Sequence, residues 1–167
     1  MKQKVFLIGM PGSGKSTIGK ALGSLIGIPF YDLDKLIETA EGYSPSEIFS
    51  RFSEDYFRSV EARELKKVID LPHPFVLATG GGTPCFHNNM ALLLKSGFTI
   101  FLDPPMQVLY QRLAHSKNRP LLNTEGSETI NERLDRLKKD RLPFYELANL
   151  RITEESISVE RLIQLIP

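Results

Sequence analysis

The feature that most constrains this chain is the stretch Gly-Met-Pro-Gly-Ser-Gly-Lys-Ser at residues 9–16, which follows the apolar run at residues 5–8. Its spacing, G-x-x-x-x-G-K-[ST], is typical of a phosphate-binding loop between a buried strand and a helix. The glycines let successive backbone N–H groups point at one anion, and the helix adds the positive end of its dipole. The sequence therefore predicts a strand, a loop that holds nucleotide phosphates, and a helix.

Two side chains of this loop have roles that follow from their chemistry. Lys15 would bring a positive charge to the β- and γ-phosphates, and the Ser16 hydroxyl would bind Mg²⁺. The helix that follows is predicted to be amphipathic, with Ile18, Leu22 and the pair at residues 25–26 on its core face. The alternative, a glycine-rich turn with a solvated lysine, does not account for this order of strand, loop and helix.

The composition of the chain limits the class of protein in which this loop occurs. The chain has 167 residues, enough for one α/β domain over residues 1–167 with a substantial core. Lys plus Arg number 21 and Asp plus Glu 20, so no basic field attracts nucleic acid or an anionic membrane. One cysteine, no signal-peptide pattern and no apolar run of membrane-spanning length predict a cytoplasmic protein, and we expect a monomer. Cys85 is expected to be a small hydrophobic residue rather than a reactive thiol.

Strand-like apolar runs alternate with segments of helical periodicity. The predicted strands are residues 4–8, 29–32, 74–78, 98–102 and 150–153. This alternation predicts a three-layer α/β/α fold, in which helices cover both faces of a five-stranded parallel sheet and ligands bind at the carboxyl ends of the strands.

Capping residues predict where several of the helices begin. Ser44-Pro45-Ser46-Glu47 reads as a capping box, Ser53 and Ser158 are expected to cap two further helices, and another helix is expected from about Ser127. Residues 114–127 have few apolar anchors and are a candidate mobile lid.

Asp32-Leu33-Asp34 lies at the end of the second predicted strand. Alternate side chains of a strand face one way, so both carboxylates are expected in the same crevice. Near a bound nucleotide, one acid can reach the Mg²⁺ shell while the other accepts the hydroxyl proton of a phosphoryl acceptor. The alternative is that Asp34 only caps the helix at residues 35–38.

Basic and glycine-rich segments supply further candidates. Arg58 sits beside acidic residues on a predicted helix, where a solvated ion pair is the simpler interpretation. Gly80, Gly81 and Gly82 follow a strand and would let a ligand approach the backbone, although a flexible turn could also contain them. Arg119 lies in the candidate lid and could move onto a transferring phosphoryl group, and Arg141 could clamp a carboxylate; each could equally be a surface arginine.

Taken together, these segments resemble the shikimate kinase family, within the phosphate-loop kinases related to nucleoside monophosphate kinases. The matching segments are the loop at residues 9–17, Asp32-x-Asp34, Phe57-Arg58-x-x-Glu61, residues 79–82, residues 119–122, and Arg141-x-Pro143-x-Tyr145. They occur in the family's order from about residue 4 to residue 153.

The resemblance implies a sheet order of 2-3-1-4-5 and phosphoryl transfer from ATP, with Mg²⁺, to the 3-hydroxyl of shikimate. It assigns Mg²⁺ to Ser16 and Asp32, and the role of base to Asp34. It also gives two sets of contacts. ATP would be held by Gly12, Ser13, Gly14, Lys15, Ser16, Thr17, Arg119 and, less specifically, Arg112. Shikimate would be held by Asp34, Arg58, Gly80, Gly81, Gly82 and Arg141.

During the transfer from ATP to the acceptor, the charge on the phosphoryl oxygens would be offset by Lys15, Mg²⁺ and Arg119.

Two other functions share some of these features. A kinase acting on gluconate or a nucleoside monophosphate would have the same fold and loop but no need for the two substrate arginines. A nucleotide-binding switch would hydrolyse ATP slowly without any small acceptor.

Overall fold

A parallel five-stranded sheet forms the centre of the molecule. The computed structural model of the chain describes residues 3–114, 128–155 and 157–167. The strands are β1 (Val5–Ile8), β2 (Phe30–Asp32), β3 (Val76–Ala78), β4 (Phe98–Leu102) and β5 (Leu150–Ile152). Their order is β2-β3-β1-β4-β5 with every neighbouring pair parallel, which confirms the predicted order and the predicted fold class.

Helices connect the strands, as parallel neighbours require. Those described are α1 (Lys15–Ile26), α2 (Leu33–Glu41), α3 (Pro45–Arg51), α4 (Glu54–Ile69), α5 (Asn89–Ser96), α6 (Met106–Leu113), α7 (Ile130–Tyr145) and α8 (Val159–Leu165). A short 3₁₀ helix at Thr83–Cys85 follows the glycines after β3. Within the described residues, no helix is both long enough and apolar enough to cross a bilayer.

Strand β1 separates two hydrophobic cores because its alternate side chains point to opposite faces of the sheet. Val5 and Leu7 pack in one core with Leu22 of α1 and Leu162 of α8. Phe6 and Ile8 pack in the other core with residues of α2 to α7, among them Ile37, Leu65, Leu93, Leu109 and Leu134. All four residues of β1 are fully buried, so the helices cover the sheet on both faces as predicted.

Most predicted boundaries lie within two residues of the observed ones, because strand ends and caps are encoded locally. Ser44 forms the predicted capping box with Glu47, and Ser53 and Ser158 cap α4 and α8. The helix expected from about Ser127 instead begins at Ile130, since Thr129 and Glu132 form a second capping box. The candidate lid lies outside the described residues except for Ala114.

One expectation about the face of α1 was wrong. Leu25 was placed on the core face, but 54% of its surface is exposed, whereas Leu22 is fully buried. The helix ends directly afterwards at Gly27, which has φ +69 and turns the chain toward β2. Leu25 is therefore on the last turn of α1, at the edge of the apolar stripe rather than inside the core.

We expect Leu22→Ala to lower the free energy of unfolding by about 2–5 kcal/mol, because it leaves a cavity between α1 and the sheet. Leu25→Ala is the matched control in the same helix and should change that free energy by less than about 0.5 kcal/mol. Urea unfolding followed by circular dichroism measures both. Equal losses in the two variants would contradict the placement of Leu22 in the core.

Candidate active site

A cavity of about 540 Å³ opens at the carboxyl ends of the strands. Its lining includes the loop at residues 12–17, the two acids Asp32 and Asp34, and the backbone at residues 79–81. Ligands of open parallel sheets bind at this edge, and the volume lies within the usual range of about 300–1,000 Å³ for small-molecule sites. The structure thus brings most of the predicted site residues to one place.

The backbone of the loop explains its glycines. Gly12 and Gly14 have φ +80 and φ +96, a left-handed conformation that other residues adopt only with strain. A side chain at Gly9 would collide with the carbonyl oxygen of Leu102, because β4 runs directly alongside. The loop can therefore keep its curved shape, with N–H groups turned inward, only with glycine at these positions.

The side chain of Lys15 folds back over the start of the phosphate loop. Its side chain is nearly buried, and its ammonium donates hydrogen bonds of 2.9 Å to the carbonyl oxygens of both Gly9 and Met10. It also lines the cavity. The charge is thus held at the place where the phosphate groups of a nucleotide would lie.

Ser16 and Asp32 form a pair of oxygen groups at the floor of the cavity. The Ser16 hydroxyl donates a 2.5 Å hydrogen bond to one carboxylate oxygen of Asp32. The other carboxylate oxygen accepts from the backbone N–H of Asp34 at 3.1 Å. Hard oxygen donors of this kind suit Mg²⁺, which takes few protein ligands and fills its shell with phosphate and water.

The structure corrects the argument that placed the two acids together. Asp32 ends β2 and caps α2, whereas Asp34 already belongs to the first turn of that helix. Strand alternation therefore does not bring the two side chains together, and Asp34 is not the cap. Both nevertheless line the cavity, because the helix begins at the end of the strand and keeps Asp34 at the sheet edge.

Arg58 is buried, so the structure excludes the alternative of a solvated ion pair. Only 3% of the residue is exposed. Its guanidinium pairs with Glu61 at 2.8 Å and with Glu54 at 3.1 Å. Glu61 also accepts a 2.5 Å hydrogen bond from the hydroxyl of Thr83. The ring of Phe86 covers one face of Arg58 at 4.2 Å, which further holds the guanidinium in place.

Arg141 of α7 is also buried, but its charge is less well compensated. The residue is 6% exposed, and its Nη1 atom has no hydrogen-bond partner among the described residues. A buried donor without a partner is unfavourable, so this atom has a hydrogen-bonding capacity that water or an anionic ligand can satisfy. The guanidinium is therefore suited to receive an anion.

The glycine turn at residues 80–82 is where these side chains meet. A β-carbon at Gly80 would lie 3.2 Å from Asp34 Oδ1, one at Gly81 would lie 2.9 Å from Arg141 Nη1, and one at Gly82 would lie 2.6 Å from Arg58 Nη2. Any side chain there would displace a charged group. The three glycines are needed for close packing around a charged crevice, and this favours the functional interpretation over a merely flexible turn.

The remaining predicted residues divide into two groups. Arg112 of α6 extends over the phosphate loop and donates to the carbonyl oxygen of Gly12 at 3.0 Å, and it lines the cavity. Ser13 and Thr17 line it as well. Arg119 lies outside the described residues, so its predicted role at ATP stays a prediction.

Sequence reasoning gave no role to two residues that hold the site together. Glu61 neutralises Arg58, and Tyr145 donates a short hydrogen bond to the carbonyl oxygen of Gly81. Both occur in segments that resemble the family motifs, but their types alone do not indicate which groups they touch. Burial raises the pKa of the Tyr145 hydroxyl, so it stays protonated and can donate.

Cys85 lies next to the glycine turn, at the end of the 3₁₀ helix. Burial raises the pKa of its thiol to about 11, against the opposing influence of Arg141 and Arg58. At neutral pH the thiol is therefore protonated and a poor nucleophile. This agrees with the expectation of a small hydrophobic residue.

Comparison with known proteins identifies the family. The model of the family described as shikimate kinase matches residues 11–166. A shikimate kinase of Thermodesulfovibrio yellowstonii is 38% identical over 162 residues, which cover 97% of this chain and 91% of that protein.

Solved structures agree with the sequence comparison. A shikimate kinase from Bacteroides thetaiotaomicron superimposes with a TM-score of 0.90 at 32% identity, covering 99% of this chain and 98% of that one. A shikimate kinase from Acinetobacter baumannii, solved in complex with shikimate, gives 0.89 at 33% identity over 99% and 90% of the two chains. Sequence and structure together show that the chain belongs to the shikimate kinase family.

Proposed function

We propose that this protein transfers the γ-phosphoryl group of ATP to the 3-hydroxyl of shikimate, giving ADP and shikimate 3-phosphate. The observation that carries the proposal is the meeting of Asp34, Arg58 and Arg141 at one glycine turn, beside a cavity lined by the phosphate loop. The Acinetobacter baumannii relative solved with shikimate supports the choice of acceptor.

The acceptor side of the site fits a carboxylate that carries hydroxyl groups. Two buried guanidinium groups approach the turn from different helices, α4 and α7. Arg58 is already paired with Glu61, so Arg141, with its unpartnered Nη1, is the principal carboxylate-binding group. Backbone groups of Gly80, Gly81 and Gly82 would complete the contacts to the substrate.

Asp34 is the proposed general base. It lines the cavity beside Gly80, between the acceptor side and the phosphate loop. In phosphoryl transfer the carboxylate mainly orients the hydroxyl and accepts its proton as the new P–O bond forms. Its place on the first turn of α2 makes it rigid, because Asp32 caps the same turn.

The donor side is proposed to consist of residues 12–17 with Arg112. Backbone N–H groups of the loop would bind the phosphates, and Lys15 would contact the β- and γ-phosphates. Ser16 and Asp32 are the residues that would hold Mg²⁺, which neutralises charge on the phosphate oxygens when bound. Arg119 is proposed to reach the transferring group from the segment at residues 114–127, and thereby to help exclude water.

Further properties complete the proposal. We infer a cytoplasmic monomer that forms one domain over residues 1–167, without nucleic acid or a membrane as partner. The nearly balanced charge of the chain, 21 basic against 20 acidic residues, supports the expectation that its net charge does not attract nucleic acid or an anionic membrane.

The direct test is ADP release by the purified protein with MgATP, alone and with shikimate, gluconate or AMP. We expect strong stimulation by shikimate only. Stimulation by gluconate or AMP and not by shikimate would show that the acceptor is that compound and that the proposal of shikimate is wrong. A folded sample that binds ATP but responds to no acceptor would favour a nucleotide-binding switch.

Asp34→Asn should lower kcat about 100-fold or more, because the amide cannot accept the hydroxyl proton. Binding of ATP, measured by calorimetry, should stay within about twofold, since Asp34 is assigned to the acceptor. Glu38→Gln, one turn further along α2 at a half-buried position that does not line the cavity, is the control and should keep normal turnover. A kcat for Asp34→Asn near that of the control would exclude Asp34 as the base.

Arg141→Met should raise the KM for shikimate about tenfold or more while leaving the KM for ATP nearly unchanged. It should not lower the free energy of unfolding, and could raise it by up to about 2 kcal/mol, because a poorly compensated buried charge is removed. Steady-state kinetics and urea unfolding measure the two effects.

Arg151→Met is the comparison for stability. Arg151 pairs with the buried carboxylate of Asp103 at 2.6 Å, so its loss should destabilise the fold by about 1 kcal/mol without a selective effect on shikimate. If Arg141→Met destabilised the protein as much as Arg151→Met and left the KM for shikimate unchanged, Arg141 would be a structural residue.

A further inference from the structure

The least explained polar group near the site is the hydroxyl of Tyr145. The residue is fully buried at the end of α7, and its ring packs on Phe101 with 4.9 Å between ring centres. Its hydroxyl donates to the carbonyl oxygen of Gly81 and lies 4.0 Å from the sulfur of Met10 in the phosphate loop. Burying a hydroxyl is unfavourable unless it is hydrogen-bonded, so the contact with Gly81 fixes where this hydroxyl points.

This hydrogen bond orients the whole peptide unit between Gly81 and Gly82, and not only the carbonyl group of Gly81. The peptide unit between Gly81 and Gly82 is planar and trans, so its N–H group points opposite to its C=O group. Holding the carbonyl of Gly81 toward Tyr145 therefore turns the N–H of Gly82 away from Tyr145. The backbone N–H groups of Thr83 and Cys85 already donate to the carbonyls of Gly80 and Gly82, and Tyr145 holds the carbonyl of the glycine between them.

Tyr145 also links this turn to an arginine of the acceptor site. Arg141 and Tyr145 are four residues apart on α7, so their side chains lie on the same face of the helix. Gly81 lies against both: its carbonyl accepts from Tyr145, and a β-carbon on it would lie 2.9 Å from Arg141 Nη1. One helix face thus sets the distance between a guanidinium and the glycine backbone.

We propose that Tyr145 is a positioning residue for the acceptor, whose hydroxyl fixes the orientation of the Gly81–Gly82 peptide relative to Arg141. The inference rests on the proposed function, since it concerns the shikimate side of that same site. Tyr145 itself does not touch the substrate. Its effect should therefore appear in binding of the acceptor and not in binding of ATP.

The test compares Tyr145→Phe with the unaltered protein and with Tyr31→Phe. Both variants remove one phenolic hydroxyl. The hydroxyl of Tyr31 contacts His73 at 3.3 Å, away from the glycine turn. For each protein we would measure the KM values for shikimate and ATP, the dissociation constant of shikimate by calorimetry, and the midpoint of urea unfolding.

We expect Tyr145→Phe to raise the KM and the dissociation constant for shikimate about tenfold, and to leave the KM for ATP within about twofold. A variant that is only less stable would contain less active protein and show a lower apparent kcat with unchanged KM values. Tyr31→Phe should leave all the kinetic constants unchanged.

Two results would overturn the inference: unchanged shikimate affinity in Tyr145→Phe, or an equal rise of both KM values. If the phenylalanine variant failed to fold, Gly81→Ala would replace it, because its added methyl group would lie 2.9 Å from Arg141 Nη1 and force the peptide and the guanidinium apart. Normal affinity for shikimate in that variant would also overturn the inference. If the unaltered protein showed no shikimate-dependent ADP release, the proposed function would fail, which is a separate outcome.

Discussion

The complete burial of β1 between two hydrophobic cores is the constraint on which the rest of the structure depends. Its four residues pack alternately against α1 with α8 and against the helices of the other face. The strand cannot shift by one residue without exchanging the two sets of side chains. The position along the sheet at which the phosphate loop begins is therefore fixed, and it lies at the edge where β2 and β3 also end.

At that edge, two buried arginines differ in how well their charges are compensated. Arg58 is neutralised by Glu61, which is itself bound by Thr83, so this guanidinium is held rigidly before any ligand arrives. Arg141 keeps an unpartnered Nη1. The ion pair restricts the motion of the first guanidinium, and the second keeps a buried donor whose hydrogen-bonding capacity the described residues do not meet.

Local signals in the sequence predicted the fold well. The strands, the capping boxes at Ser44 and the sheet order agree with the structure because each depends on short-range chemistry or on the pattern of a known family. Errors occurred near the ends of helices and strands, where the periodic pattern no longer determines which way a side chain points. Leu25 fits the helical period but lies at the end of α1, and Asp34 fits a strand alternation that stops at Asp32.

The sequence by itself determined the phosphate loop and the alternation of strands and helices, because spacing along the chain encodes them. The candidate acceptor residues followed from the resemblance to a known family. Tertiary structure alone decided the burial of Arg58, the unpartnered atom of Arg141, and the contact between Tyr145 and Gly81. That contact joins residues 64 positions apart, and the other two features depend on how deeply packing buries a charge. The physical reason is that solvation and partner choice are properties of the packed core, not of any segment.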